Sequence, residues 1–263
     1  MANKDSTLRT FTVIGLLCFV CSVLVCLTVV VLKPLQEKEI NVDRMKSVLE
    51  AAGIDYEGED ITTLFNDKVK ARLLDLDRNV LLSDAEVEKV VGSSDAGAYN
   101  FVSEAKLPGK NTVIESGKDS AGIKTHAKYM PVYFVVENGA TTKVVLPFYG
   151  QGLWSTMYGY LAVNANGTTI EGLKYYSQGE TAGLGAEVAN PAYTAKWKNK
   201  KLYDENSAYQ FAVKKNADKN SEYMVDAISG ATLTSDGVNN SVKYWFEDVY
   251  APFLQQLKNK EVK

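Results

Sequence analysis

The segment Asp226-Ala227-Ile228-Ser229-Gly230-Ala231-Thr232-Leu233-Thr234-Ser235 carries four hydroxyls where a strand-like run gives way to a helical one. Free amides at the start of a helix favour an anion, phosphate above all. Gly230 and Ala231 keep side chains out of its way. Simple capping by Thr234 or Ser235 accounts for one hydroxyl equally well. Two other segments are glycine-rich and without periodicity. They are Gly150-Gln151-Gly152-Leu153-Trp154 and Gly179-Glu180-Thr181-Ala182-Gly183-Leu184-Gly185. Each suits either a tight turn or a backbone brought close to a ligand. None has the spacing of a dinucleotide fingerprint or a P-loop.

Other chemistry is short of residues. The 263-residue chain has one histidine, His126, and three cysteines, Cys18, Cys21 and Cys26. A zinc or iron–sulfur centre usually takes several such ligands. Its net charge of −3 offers no basic surface for nucleic acid. A lone His126 reads as a surface or loop residue. Cys18-x-x-Cys21 has redox spacing, but it lies one helical turn apart in an apolar run, where such residues serve packing.

That run, Phe11 to Leu32, contains no charged side chain. As a helix it spans about 33 Å, enough for the hydrocarbon core of a bilayer. It is longer than the apolar region of a signal peptide and lacks a small-residue cleavage pattern, so it reads as a retained anchor. Lys4 and Arg9 against Asp5 place the short tail in the cytoplasm and the remaining chain outside.

The elements that must hold the chemical segments follow from patterning. Glu39 to Ala52 and Ile61 to Leu73 have helical periodicity, with Asp60 as a cap for the second. Leu73 to Leu76 and Val80 to Leu82 read as strands around the turn Asp77-Arg78-Asn79. Ser93 to Ala127 reads as irregular. Pro131 to Val136 and Thr141 to Pro147 form a hairpin about Asn138-Gly139. Tyr158 to Val163 and Thr168 to Tyr176 form another, about Asn164 to Gly167. Asn190-Pro191 opens a short helix to about Lys198, and Tyr223 to Ile228 is a strand. A long helix runs from about Ser235 to Leu257 and should kink or restart at Pro252. The fold class is α+β: one N-terminal transmembrane helix, then an antiparallel sheet with peripheral helices.

Asp226-x-x-Ser229-Gly230-Ala231-Thr232 resembles the D-x-x-[ST]-G-A-[ST] signature of FMN-binding domains. Glu180 to Gly185 resembles that family's E-T-P-G-L-G segment with Ala182 for proline, and Gly150-x-Gly152-Leu153-Trp154 resembles a third element. With its anchor, the whole chain is similar to the C-subunit family of sodium-translocating NADH:quinone reductases. The related G subunits of Rnf complexes share anchor and motif but are shorter before the sheet.

The resemblance implies FMN joined covalently by a phosphoester to Thr232, beside Ser229, Gly230 and Ala231. Asp226 then belongs to the motif used in flavin transfer. Candidate walls for the flavin ring are Trp154 and Leu184, with Met157 or Tyr158, although Trp154 serves equally as sheet core. Glu180 and Thr181 are candidate polar contacts, with Gly183 and Gly185 allowing close backbone approach. The implied division is a tail at 1–10, a span at 11–32, a helical and connecting part at 33–125 and the FMN-binding domain at 126–263. The implied role is an electron relay in a bacterial inner-membrane complex. Electrons come from an iron–sulfur centre in other subunits and leave for the flavin of the B subunit, after maturation by a flavin transferase. A cofactor-free anchored binding protein and a stand-alone flavin reductase are the competing readings.

Overall fold

The computed structural model describes residues 7–260. Lys4 and Asp5, on which the expected orientation partly rests, lie outside the described residues. Helix α1 is Thr7–Ala52 and contains Pro34. The anchor and the helix expected from Glu39 are therefore one element. A single proline removes one amide donor and need not end a helix held by its neighbours. The chain divides into two compact units between Arg44 and Met45. In the first unit α1 is long and apolar enough to cross a membrane. Its apolar side chains, Phe11, Leu16 and Val31 among them, are exposed all round, as are the three free cysteines.

The second unit is built on a six-stranded sheet. Its strands are β1 Val69–Asp75, β2 Val80–Leu81, β5 Tyr129–Glu137, β6 Ala140–Gln151, β7 Thr156–Asn164 and β8 Ile170–Ser177. Their order is β2-β1-β5-β6-β7-β8, antiparallel throughout. The β5–β6 turn falls at Asn138-Gly139 as expected, both residues at positive φ.

Around the sheet lie α2 Ile61–Lys68, α3 Asp84–Val91, α4 Phe101–Glu104, the short pair β3 Asn111–Val113 and β4 Thr125–Ala127, and α5 Pro191–Thr194. A separate parallel pair, β9 Ala212–Lys214 and β10 Met224–Asp226, leads to α6 Thr232–Lys243. A π-helical turn Tyr244–Val249 and α7 Ala251–Lys258 complete the unit.

Several expectations are corrected. The helix read to Leu73 ends at Lys68, and Val69 is already extended. Seven residues of β1 pair with β5, so the sheet ladder overrides the local helical period. Ser93 to Ala127 is not simply irregular. Asp95 and Asn100 cap short helical turns there, and β3 pairs with β4. The strand at Tyr223 to Ile228 is confined to Met224–Asp226 and pairs with β9, outside the main sheet. The long helix starts at Thr232, three residues before its expected start. It restarts at Ala251 with Pro252 in its first turn, where proline costs no hydrogen bond. His126 is buried on β4, its Nδ1 bonded to the Ala127 carbonyl at 2.8 Å.

Alternate residues of the strands feed two cores. Tyr133, Val135, Val145, Tyr160 and Ala162 pack with Val48, Leu49, Ala51 and Ala52 at the end of α1 and with Phe65 of α2. The Lys143 ammonium donates to the Ala52 carbonyl at 2.6 Å, closing that helix end. Met130, Val144, Leu146, Phe148 and Leu161 face the other way, toward Val238, Val242, Trp245, Phe246 and Phe253. Each of these fully buried large side chains contributes about 1.5–3 kcal/mol. The π turn is pinned to β6 by Trp245 Nε1 donating to the Tyr149 carbonyl (2.7 Å) and the Tyr250 hydroxyl donating to the Pro147 carbonyl (2.8 Å). Helix α6 lies directly on the end of β6. A Cβ on Gly237 would stand 2.3 Å from the Gln151 carbonyl oxygen, and one on Gly150 would stand 2.3 Å from Ser241 Cβ.

Candidate functional site

The turn before α6 is held by its own hydroxyl. Ser235 Oγ accepts the Ile228 amide and donates to the Ala231 carbonyl, both at 2.9 Å. Gly230 sits at φ +77, and a Cβ there would meet Leu184 at 3.2 Å. Thr234 Oγ1 donates to Glu180 Oε2 at 2.7 Å. The two hydroxyls best placed to cap the helix are thus used elsewhere. The N-cap position falls to Ala231, which has no side-chain acceptor. The first helical bond runs from the Ser235 amide to the Ala231 carbonyl. The amides of Thr232, Leu233 and Thr234 therefore have no intrahelical acceptor, and the exposed Thr232 opens the helix.

Glu180 joins the three segments. Its carboxylate accepts from the amides of Leu153 (3.1 Å), Trp154 (3.0 Å) and Ser155 (3.1 Å), from Ser155 Oγ (3.2 Å) and from Thr234 Oγ1. Burial pushes this carboxyl up. The bonds from Thr234 and the backbone amides outweigh burial and hold it below the ordinary carboxylate value. Two glycines make room for it. A Cβ on Gly152 would lie 2.7 Å from Glu180 Oε1, and one on Gly185 would lie 2.6 Å from Thr234 Oγ1. Gly150, Gly152 and Gly185 are therefore small to fit protein atoms. Gly183, at φ +74, has nothing within 4 Å and serves the Thr181-to-Gly185 turn, where Thr181 O accepts the Leu184 and Ala186 amides.

The side chains around this knot are apolar and open. Trp154 is 69% exposed, which excludes the sheet-core reading, Leu184 is 45% exposed, and Leu153 is also out. Leu233, which no sequence motif singles out, adds a fourth, 61% exposed beside Thr232. Met157 is buried and Tyr158 half-buried against Tyr149, at a ring distance of 5.3 Å. Ser229 and Thr181 are exposed. Asp226 is exposed at the end of β10, and its carboxylate accepts the Ala217 amide at 3.3 Å. Among the described residues no three His, Cys, Asp or Glu side chains are grouped to hold a metal.

A donor-rich, uncapped helix start flanked by apolar side chains suits a phosphate carrying a flat aromatic group. Residues 152–247 match the FMN-binding domain family. The C subunit of the Na(+)-translocating NADH-quinone reductase of Haemophilus ducreyi is 41% identical over 97% of this chain and 96% of its own length. The chain belongs to this C-subunit family. The corresponding Vibrio campbellii protein is 37% identical over 98% of both chains. The crystal structure of Shewanella oneidensis NqrC superposes with a TM-score of 0.73 at 33% identity, over 85% of this chain and 98% of that one. The relatives' names make them components of a multi-subunit NADH-quinone reductase.

Proposed function

We propose that this C-type subunit carries FMN as a phosphoester on Thr232 and relays electrons within a membrane-bound, sodium-translocating NADH-quinone reductase. The observation that carries the reading is the exposed Thr232 hydroxyl at an N-terminus left without a side-chain cap. The residues fit the group. The amides of Thr232, Leu233 and Thr234 suit a phosphodiester anion. The absent Cβ at Gly230 leaves room beside Leu184. Trp154, Leu153, Leu184 and Leu233 supply apolar surface for a ring.

Attachment forms one bond, from Thr232 Oγ to phosphorus. The donor is a phosphoanhydride of FMN: its anhydride P–O bond breaks, the leaving phosphate group takes up the Thr232 hydroxyl proton, and a flavin transferase catalyses the exchange, so the chain gains FMN less water. Bound flavin supplies one- and two-electron redox chemistry. The chain's own part is to hold the phosphate, fix Thr232 through the Glu180 knot and offer the ring an open apolar seat. It has no nicotinamide fingerprint, so NADH oxidation and quinone reduction fall to other subunits and the isolated chain turns over little. Electrons arrive from an iron–sulfur centre in other subunits and leave for the flavin of the B subunit. Helix α1 anchors the chain in the bacterial inner membrane, its N-terminus cytoplasmic and the sheet unit periplasmic. The span has no ionisable group except thiols, so ion movement needs other subunits.

The test is a mass spectrum of chain produced with a flavin transferase. The peptide containing Thr232 should gain the mass of FMN less water, and Thr232→Leu should abolish the gain completely. Yellow, fluorescent Thr232→Leu protein on a denaturing gel overturns the assignment.

A further inference from the structure

A groove of about 590 Å³ opens on the second unit. It is not at Thr232 but at the far end of α6. That helix is twelve residues long, so its first and last residues lie eleven steps apart, roughly 16 Å at 1.5 Å per residue. The β1–β2 turn, the β3–β4 region and the π turn form its walls. Leu76, Ile114, Val249 and Pro252 supply apolar surface.

Among the described residues, four side chains that line it offer acceptors without a bonded donor: His126, Asn79, Asp77 and Asp248. A carbonyl can only accept, so His126 Nδ1 carries the proton in its bond to Ala127, and Nε2 holds a lone pair. His126 is only 7% exposed, lines the groove, and makes no second hydrogen bond among the described residues. Asn79 Oδ1 is buried without a partner. Asp77 and Asp248 line the same groove and form no ion pair among the described residues. The cations lining it are already engaged, Lys243 with Glu247 at 3.7 Å and Lys118 with Glu115 at 2.6 Å. Burial keeps the imidazole neutral, so it adds no positive charge. A buried acceptor without a donor destabilises the fold until a ligand supplies one, and a π turn often marks a functional position.

We infer that this groove receives an arginine or lysine side chain of a neighbouring subunit, its charged head against Asp77, Asp248, Asn79 and His126 and its stem along the apolar wall. An ammonium or guanidinium brings donors and positive charge together, which is what these four acceptors lack. Among the described residues the acidic and imidazole side chains do not converge on one point as a metal ion needs, whereas a planar guanidinium spreads five donors over a wider area. A component of a complex also has neighbours to present such a side chain, and charge complementarity selects among them.

The test uses the full chain in detergent and calorimetric titration with N-acetyl-Gly-Arg-Gly-amide. The isosteric, uncharged citrulline peptide and free spermidine are the comparison probes. The arginine peptide should bind saturably at one site, roughly tenfold or more tighter than the citrulline peptide. Asp77→Asn with Asp248→Asn should remove that difference while leaving Tm and flavin attachment unchanged. No saturable binding, equal binding of the two peptides, or a difference that survives both substitutions overturns the inference. Spermidine binding more than about tenfold tighter than the arginine peptide overturns the assignment to a protein side chain in favour of a diffusible amine.

Discussion

The two ends of α6 are organised for opposite charges by different means. At the Thr232 end the donors are backbone amides, kept free because Thr234 and Ser235 turn their hydroxyls inward. At the Lys243 end the acceptors are side chains from three separate parts of the chain, gathered beside the π turn. The first arrangement comes with any helix start once its cap is withheld. The second exists only after β1, β2 and β4 have been brought to the helix. A site made from backbone leaves a local motif; a site made from distant side chains leaves none.

The comparison is tested most severely at Glu180, which holds the first end together and touches nothing at the second. Glu180→Ala leaves three amides and two hydroxyls without their shared acceptor. The expected loss of stability is roughly 2–4 kcal/mol, tempered where water reaches the freed donors. For a domain of this size that lowers Tm by about 5–15 °C. Flavin attachment to Thr232 should fall with it, measured by in-gel fluorescence at a temperature where the variant remains folded. Arginine-peptide binding at the groove should be unchanged. If both readouts fall together below the melting transition, the two ends are one cooperative site. Glu180→Gln keeps the shape but turns an amide donor toward other donors, so it should lie between wild type and alanine.

Glycine substitutions make a smaller and more local distinction. Gly185→Ala drives a methyl to 2.6 Å from Thr234 Oγ1 and 2.9 Å from Glu180 Cβ. The expected cost is about 1–3 kcal/mol of overpacking, with reduced flavin attachment. Gly183→Ala meets no atom within 4 Å but keeps a positive φ. It should cost about 1–2 kcal/mol of backbone strain alone. Thermal melts of the two variants give similar losses, while attachment yield separates them. Equal yields would mean that Gly185 serves the turn rather than the carboxylate knot.

Much of the fold is legible in local sequence. The hairpin at Asn138-Gly139 is written in two residues that accept positive φ, and the strand alternation on either side marks both faces of the sheet. The reading from periodicity has no helix at α3, although the capping box of Ser83 and Glu86 and the left-handed Gly92 bound it with signals as local as the hairpin's. β1 is disguised, because Leu64, Phe65 and Val69 sit at helical spacing although Val69 already pairs with Val135. That pairing spans 66 residues of chain, and no local pattern reports it. The candidate site divides similarly. Thr232 stands out by its neighbours in sequence. The purpose of Gly152 and Gly185 does not, since it depends on a carboxylate that reaches 27 residues back to Leu153 and 54 forward to Thr234. His126 reads as superficial because one polar residue beside Thr125 gives no sign of Tyr244 and Trp245 packing over its ring at 6.3 and 5.8 Å.

Acid separates the two ends by a subtler effect. Both groups are held below their ordinary pKa, so in each case the unfolded chain takes up a proton before the folded one. Stability is then fully present above the unfolded value and lost as pH falls toward the folded one. For His126 the loss begins near the ordinary value of 6.5, because burial disfavours the imidazolium, partly offset by the Ala127 carbonyl and the charge of Asp77. For Glu180 it begins only near 4.5, because Thr234 and the three amides favour the carboxylate over burial. Denaturant melts from about pH 8 to about pH 4 should therefore show a first decline starting near 6.5 that is absent in His126→Gln. A second decline near 4.5 should be absent in Glu180→Gln. Flavin attachment should follow the second and ignore the first, since protonating Glu180 removes an acceptor from the knot around Thr232 whereas protonating His126 alters only the groove. An attachment yield that tracks the His126 transition would join the two ends through α6 and overturn their independence.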